Sequence, residues 1–266
     1  MPWRIFTGNH TGDSRENSMD GTLFWVLATL SAISVGMSKG GLPVVSNLAV
    51  PLLALVIDPV VAAGLLLPVY IVSDVVGVWT YRHEFNKRVI VIICAGATVG
   101  VAIGGLTASI TPKGWVTILV GLIGFVFALN LIWRRNREVP AKAPHTPSGL
   151  FWGVLTGFTS FVSHAGGPPY QVWVLPQKLS KLAFAGTSTI AFAYINWIKM
   201  IPYVMLGQVN FSSLKIAGFL MVPAAISVVV GARLVRILPD AAFFKIVTGA
   251  LLLISVKLLW DGFGQI

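Results

Sequence analysis

Two short segments of this 266-residue chain carry residue types suited to holding a small anion. They are Ser38-Lys39-Gly40-Gly41-Leu42-Pro43 and Ser163-His164-Ala165-Gly166-Gly167-Pro168-Pro169. Lys39 supplies a full positive charge. Glycine pairs leave backbone N–H groups uncovered, and a helix that starts at such a break turns its positive dipole end toward the same point. Gly40-Gly41 and Gly166-Gly167 can therefore form two halves of one cradle that replaces an anion's hydration shell. Lys39 can equally pair with Asp58 or Asp74, or reach to the membrane surface. Lys199 follows Asn196 by three residues, which puts both on one helix face, and an Asp74–Lys199 ion pair would neutralise two buried charges. His164 can change charge near neutral pH, which suits proton coupling or ligand binding as well as a capping role. The hydroxyls of Ser38, Ser163, Thr187 and Ser188 can donate to an oxyanion or bond backbone carbonyls within the membrane.

Enzyme chemistry fits these residues poorly. Ser163 and His164 are adjacent, and adjacent side chains on a helix diverge by about 100°, so they do not make a nucleophile–base pair. His10, His83, His145 and His164 lack metal-ligand spacing, and no acidic cluster suits magnesium with a diphosphate. A single cysteine, Cys94, excludes a disulfide framework and a thiolate cluster. No cofactor or metal is expected.

The elements that must position these residues are membrane helices. Apolar residues make up 56% of the chain and charged residues 11%, against roughly 25% charged in a soluble domain. That composition excludes a soluble enzyme and a disordered chain. It also excludes a nucleic-acid binder despite the net charge of +10, which reads instead as membrane topology. Six stretches meet the length of roughly 20 apolar residues needed for a crossing: 60–80, 89–109, 115–133, 182–206, 216–232 and 241–260. Two further apolar regions, 22–57 and 149–176, are broken by the Gly-Gly segments. They read as re-entrant or broken helical hairpins, since irregular backbone at membrane depth requires protein or a polar cavity around it. Counting both arms of each hairpin as crossings would give ten spans with the same loop sides.

The chain repeats itself. The two Gly-Gly segments align, as do Ala62-Ala63-Gly64 with Phe184-Ala185-Gly186, Asp74 with Asn196, Tyr81 with Tyr203, Gly104 with Gly231, Pro112 with Pro239 and Trp133 with Trp260. The fold expected is an all-α polytopic membrane protein with two inverted repeats, each a hairpin plus three transmembrane helices. Residues 1–21 form a polar N-terminal segment, 22–133 the first repeat, 134–149 a basic cytoplasmic linker and 150–262 the second repeat. Orientation follows the Lys/Arg bias. Eleven cations fall on the linker side, namely Arg134, Arg135, Arg137, Lys142, Arg82, Lys87, Arg88, Lys178, Lys181, Arg233 and Arg236; only Arg4, Arg15, Lys113 and Lys215 fall opposite. The uncharged loop 207–213, equivalent to basic 81–88, supports an odd number of crossings per half, hence inversion. Inverted repeats with broken helices are a transporter architecture whose site lies between the repeats. Gly100, Gly104 and Gly105 form a small-residue face for close helix packing. Trp152, Trp173, Trp197 and Trp260 could line a pathway, while the interface-anchor role is assigned to Trp79, Trp133 and Trp260.

Taken together, several ordered motifs resemble the TauE/SafE family of sulfite and organosulfonate exporters. They are Ser38-Lys39-Gly40-Gly41, Pro51, the 68–74 stretch, His164 to Pro169, Leu175-Pro176-Gln177-Lys178, Gly186-Thr187-Ser188 and Asn196-Trp197-Ile198-Lys199. The resemblance covers about residues 22–262. Leu42-Pro43 stands where many relatives have a longer glycine run. The resemblance implies a multi-pass carrier of the cell membrane for a small sulfur-containing anion such as sulfite, thiosulfate, sulfoacetate or a related organosulfonate. Its partners would be that anion, the bilayer and a coupling proton or sodium ion. It fixes neither substrate nor direction. A passive anion channel would use the same positive residues without alternating exposure.

Overall fold

The computed structural model of the protein describes residues 21–42, 45, 48–57, 59–107, 110–133, 140–163, 165–205 and 214–266. Most of the polar segment 1–21, Pro43, Asp58, the linker arginines Arg134, Arg135 and Arg137, His164 and the loop 207–213 lie outside the described residues. Among those described, the secondary structure is helical and contains no strand.

The first half comprises α1 (Thr22–Lys39), α2 (Ala49–Ala54), α3 (Pro59–Thr80), α4 (Lys87–Thr107) and α5 (Lys113–Trp133). The second comprises α6 (Thr146–Ser163), α7 (Gly167–Val174) with a 3-10 turn (Leu175–Gln177), α8 (Lys181–Met205), α9 (Leu214–Ile237) and α10 (Asp240–Phe263). All six expected spans coincide with long helices, and both Gly-Gly segments fall at helix breaks. The hairpin arms are unequal: 18 residues before each break, then six in α2 and eight in α7. α1, α4, α5, α9 and α10 are long and apolar enough to cross a membrane.

Local sequence explains the helix ends on one face. Asn86 Oδ1 accepts the Val89 N–H at 3.1 Å, and Ser180 Oγ accepts the Ala183 N–H at 3.3 Å, so each caps the helix that follows. Pro68 and Pro223 sit inside α3 and α9. Each removes one ladder hydrogen bond, a loss membrane helices tolerate when neighbouring groups compensate.

Burial is arranged inside out. Leu106, Leu119, Phe219, Val222 and Leu253 are exposed, while Thr156, Thr159, Ser160, Gln171 and Ser227 are buried. A water-soluble fold hides its large apolar side chains; a helical bundle in lipid turns them outward and satisfies polar groups inside. The chain is an all-α polytopic membrane protein. Trp79, Trp133 and Trp260 are exposed near helix ends, as interface anchors require.

Packing interleaves the two halves. α4 lies along α6, and α9 along α1. The α4–α6 seam runs parallel: Gly96 faces Leu150 and Gly153, and Gly100 faces Val154 and Phe158. A Cβ at Gly157 would lie 2.7 Å from Ala97 Cα, so the backbones approach here because α6 carries no side chain at Gly157 and α4 only a methyl at Ala97. Gly104 abuts Phe161, so Gly100 and Gly104 serve the close packing their spacing suggested. α1 follows α9 in the same parallel sense, Gly36 against Ala224 and Gly40 against Val228 and Gly231. In contrast, α3 crosses α8 and α5 crosses α10 antiparallel. Asp74 meets Asn196 while Gly77 meets Thr189, and Gly114 meets Gly262 while Gly124 meets Ser255.

The basic loops gather on one face. Arg236 makes a two-pronged ion pair with Glu84, both contacts 3.0 Å, joining the end of α9 to the α3–α4 turn. Lys181 Nζ donates to the Arg236 carbonyl at 3.1 Å and to that of Leu238. The Lys142 N–H donates to the Pro176 carbonyl at 2.9 Å, which docks the linker on the 3-10 turn.

Candidate functional site: a buried charge cluster between the helix breaks

The end of α1 sets the position of Lys39. Gly41 has φ +99°, a left-handed value that a side chain disfavours. Its N–H donates to Ser38 O at 3.3 Å, and the Leu42 N–H to Met37 O at 3.3 Å. This paired closure is a Schellman motif, and it makes Lys39 the last helical residue of α1. The Gly40 N–H is bonded to Gly36 O at 2.9 Å, and the Gly40 carbonyl accepts from Tyr81 Oη at 2.7 Å. A Cβ on Gly41 would lie 2.5 Å from Tyr81 Oη and 2.8 Å from Ala185 Cβ. Gly40 and Gly41 are therefore used to end a helix and admit close neighbours. The expectation that their N–H groups face an anion is corrected: both are bonded within the turn, and α2 begins only at Ala49.

Lys39 lies where α1, α3 and α8 converge. Its carbonyl accepts from Thr189 Oγ1 at 3.1 Å, and a Cβ at Gly77 would lie 3.0 Å from the same oxygen. Its ammonium runs inward to Asp74, with Nζ to Oδ1 2.5 Å and side-chain exposures of 7% and 0%. The other carboxylate oxygen, Oδ2, accepts from Asn196 Nδ2 at 2.9 Å. Lys39 Nζ also lies 5.7 Å from the centre of the Tyr70 ring. The expected Asp74–Lys199 ion pair is corrected as well: the lysine bonded to Asp74 is Lys39. Lys199 Nζ donates instead to Ser160 O and Ser160 Oγ, both at 3.2 Å, within electrostatic range of Lys39 and Asp74. Lys39, Asp74 and Lys199 are the buried charged residues among those described.

The second break differs from the first. The Ala165 N–H donates to Thr159 O at 3.2 Å, which folds the chain back along α6, while the Thr159 hydroxyl donates to Leu155 O at 2.7 Å with Ala165 O a second, longer acceptor at 3.2 Å. Gly166 packs on Ser160, Thr156 and Phe192. Of the four N–H groups that open a helix without an internal partner, α7 lacks two, because Pro168 and Pro169 have none. Gly167 is uncrowded: the nearest atom to an added Cβ is Gln171 Nε2 at 3.9 Å. Packing thus gives no reason for glycine at 167, in contrast to 166. Gln171 is buried, with its Oε1 unbonded.

Four candidate hydroxyls have local partners. Ser38 Oγ donates to Val35 O at 2.7 Å, Ser163 Oγ to Thr159 O at 3.1 Å, and Ser188 Oγ to Ala185 O at 2.9 Å. Thr187 Oγ1 accepts the Asn86 N–H at 2.8 Å, fastening the start of α4 to α8. The structure thus brings together Lys39, Asp74, Asn196 and Lys199, with the Gly166-Gly167 break adjoining Ser160. Tyr70, Gly77, Thr189, Ser160 and Gln171 belong to this neighbourhood and were not singled out from the sequence. Two signals pointed to some of them. Thr189, Asn196 and Lys199 share the helical period, and Thr156, Thr159, Ser160 and Ser163 form a polar stripe spaced i, i+3, i+4, i+7. Trp152 and Trp173, with Phe127, Lys142, His145 and Gln177, wall a cavity of about 260 Å³ at the linker face.

Buried ion pairs and broken helices inside a polytopic bundle are the marks of a membrane transport protein. The sulfite exporter TauE/SafE family pattern matches residues 23–258. The chain belongs to that family, whose members are membrane transporters. Searches of curated proteins and of solved structures return no match.

Proposed function

We propose that the protein is a secondary transporter of the cell membrane for a small sulfur-containing anion: sulfite, thiosulfate, sulfoacetate or a related organosulfonate. The observation that carries this reading is the meeting of Lys39, Asp74, Asn196 and Lys199, from helices of both halves, in the buried centre of the bundle. Ammonium groups at membrane depth are costly, by about 3 kcal/mol each on insertion scales, and residues of this kind mark ion paths. Each is held by a protein oxygen, Lys39 by Asp74 and Lys199 by Ser160. A sulfur oxyanion offers the same kind of oxygen and takes their place. Asn196 and the N–H groups of Gly166 and Gly167 then orient it, with Gln171 Nε2 beside them. Ser38, Gly40, Gly41, Ser163, Thr187 and Ser188 serve this site by shaping the helices.

The inverted relation of residues 22–133 and 150–262 is supported by the antiparallel contacts of equivalent helices, α3 with α8 and α5 with α10. Asp74 bonds its own counterpart Asn196, which is what a twofold axis passing between them requires. Alternating exposure follows from rocking one repeat against the other, with the basic linker 134–149 on the cytoplasmic side. The test is labelled-sulfite flux into liposomes containing the purified protein, with and without unlabelled sulfite trapped inside. Saturable flux accelerated by internal sulfite is expected; non-saturating flux without acceleration overturns the carrier in favour of a channel.

A further inference from the structure

The Lys39 ammonium is engaged by Asp74 at 2.5 Å, so an anion that binds it competes with that carboxylate for the same buried charge. We propose that Asp74 takes up a proton when an anion occupies Lys39, so that the protein moves one proton together with each anion. This inference rests on the anion site proposed above and adds its coupling ion.

The argument is one of buried charge. In the structure the Asp74 carboxylate has two partners, the Lys39 ammonium in ion-pair contact with Oδ1 and the Asn196 amide donating to Oδ2. When an anion draws the Lys39 ammonium away, Asn196 remains as the donor to the carboxylate, and the Lys199 ammonium, the other charge in range, is engaged by the same anion. A carboxylate with no exposed surface and a single neutral donor is strongly disfavoured as an ion and neutralises instead. The step balances: the Lys39–Asp74 ion pair breaks, a Lys39–anion pair forms, and an O–H bond forms on Asp74 Oδ1 with a proton from the water then in contact with the site. On the other side the anion leaves, the proton returns to water and the ion pair closes again. Anion and proton are loaded in the same state, so they cross in the same direction, and a monovalent anion crosses as its neutral acid. Direction is then set by the combined gradients of anion and proton.

The surrounding groups suit this role. α1 presents Lys39, α8 presents Asn196 and Lys199, and α3 itself presents Tyr70, whose ring lies beside the Lys39 ammonium. α2 contains no titratable residue, and the charged residues of α9 are Lys215, Arg233 and Arg236, near its two ends, Arg236 being paired with Glu84. Among these described groups, Asp74 is the acid able to exchange a proton as the anion comes and goes.

The experiment records anion flux and internal pH together in proteoliposomes, for the wild-type protein and Asp74→Asn. The probes are sulfite, thiosulfate and methanesulfonate, the last two of which do not titrate near neutral pH. The expected result is about one proton per anion in the wild type, with the proton-to-anion ratio at least tenfold lower in Asp74→Asn. Wild-type flux of thiosulfate or methanesulfonate with no proton movement overturns the proposal even if the variant does not fold. So does an Asp74→Asn protein whose ratio equals that of the wild type. If none of the three anions crosses in the wild type, the anion site itself fails, and this inference falls with it.

Discussion

Removing Lys39 alone should damage the fold more than removing Lys39 and the Asp74 charge together. The pair is almost wholly buried, and Asp74 has only Asn196 as a further donor. Breaking a buried pair from one side leaves an uncompensated charge, at a cost of about 3–5 kcal/mol, whereas replacing both partners with well-packed neutral groups is often neutral or better. Lys39→Met keeps an unbranched side chain of similar length and leaves the carboxyl without its ammonium, to be buried as a charge or protonated at a pH where it ordinarily ionises, either of which costs stability. Adding Asp74→Asn removes that cost, and an amide at that position still accepts from Asn196. The expected cost is about 3–5 kcal/mol for Lys39→Met and about 1 kcal/mol for the double variant, a non-additivity of at least about 2 kcal/mol. SDS titration of the purified proteins in mixed micelles, followed by helical circular dichroism, measures both. A double variant no more stable than Lys39→Met would refute the reasoning, because the cost would then not be that of a lone carboxylate. Transport separates fold from function: the double variant regains stability yet carries no sulfite, since the ammonium is gone.

Three further outcomes are expected. Gly100→Leu forces a side chain against the Val154 carbonyl and the Phe158 backbone of α6, neither of which can turn aside, so it should cost about 1–3 kcal/mol or more by the same titration. Thr187→Val removes the acceptor of the Asn86 N–H and should cost about 1–2 kcal/mol, with the KM for sulfite unchanged; a KM raised tenfold would return Thr187 to the anion site. In a Cys94→Ser background, cysteines placed at Lys87 and Lys142 should both react with an impermeant maleimide from the cytoplasmic side and neither from outside, as the shared face of those loops requires; reaction from opposite sides contradicts the topology.

The sequence makes the helices and their breaks plain, because hydropathy and Gly-Pro punctuation are local signals. The charged members of the site were legible too, since a lysine or aspartate in an apolar run stands out. Their pairing was legible only as alternatives, Lys39 with Asp58 or Asp74 and Asp74 with Lys199, among which the sequence could not choose. Lys39 and Asp74 lie on different helices, and Lys199 has the same charge as Lys39; only the close approach of α1 to α3, made possible by Gly77, decides which lysine reaches the carboxylate. The glycines were ambiguous for a related reason. A missing Cβ serves a left-handed turn at Gly41 and backbone contact at Gly157, while at Gly167 no neighbour demands it, and the sequence writes all three alike. Hydroxyls such as Ser38 and Thr187 carry the same ambiguity, which their neighbours resolve only in three dimensions.

The central claim is that a sulfur anion binds at the ammonium of Lys39. Sulfite counterflow in proteoliposomes, comparing the wild type with Lys39→Gln, Lys39→Arg and the stable double variant, tests it most directly. The account predicts saturable counterflow in the wild type, a partial return with the charge kept in Lys39→Arg, and loss in Lys39→Gln and in the double variant. Wild-type rates of counterflow in a folded Lys39→Gln protein would contradict it.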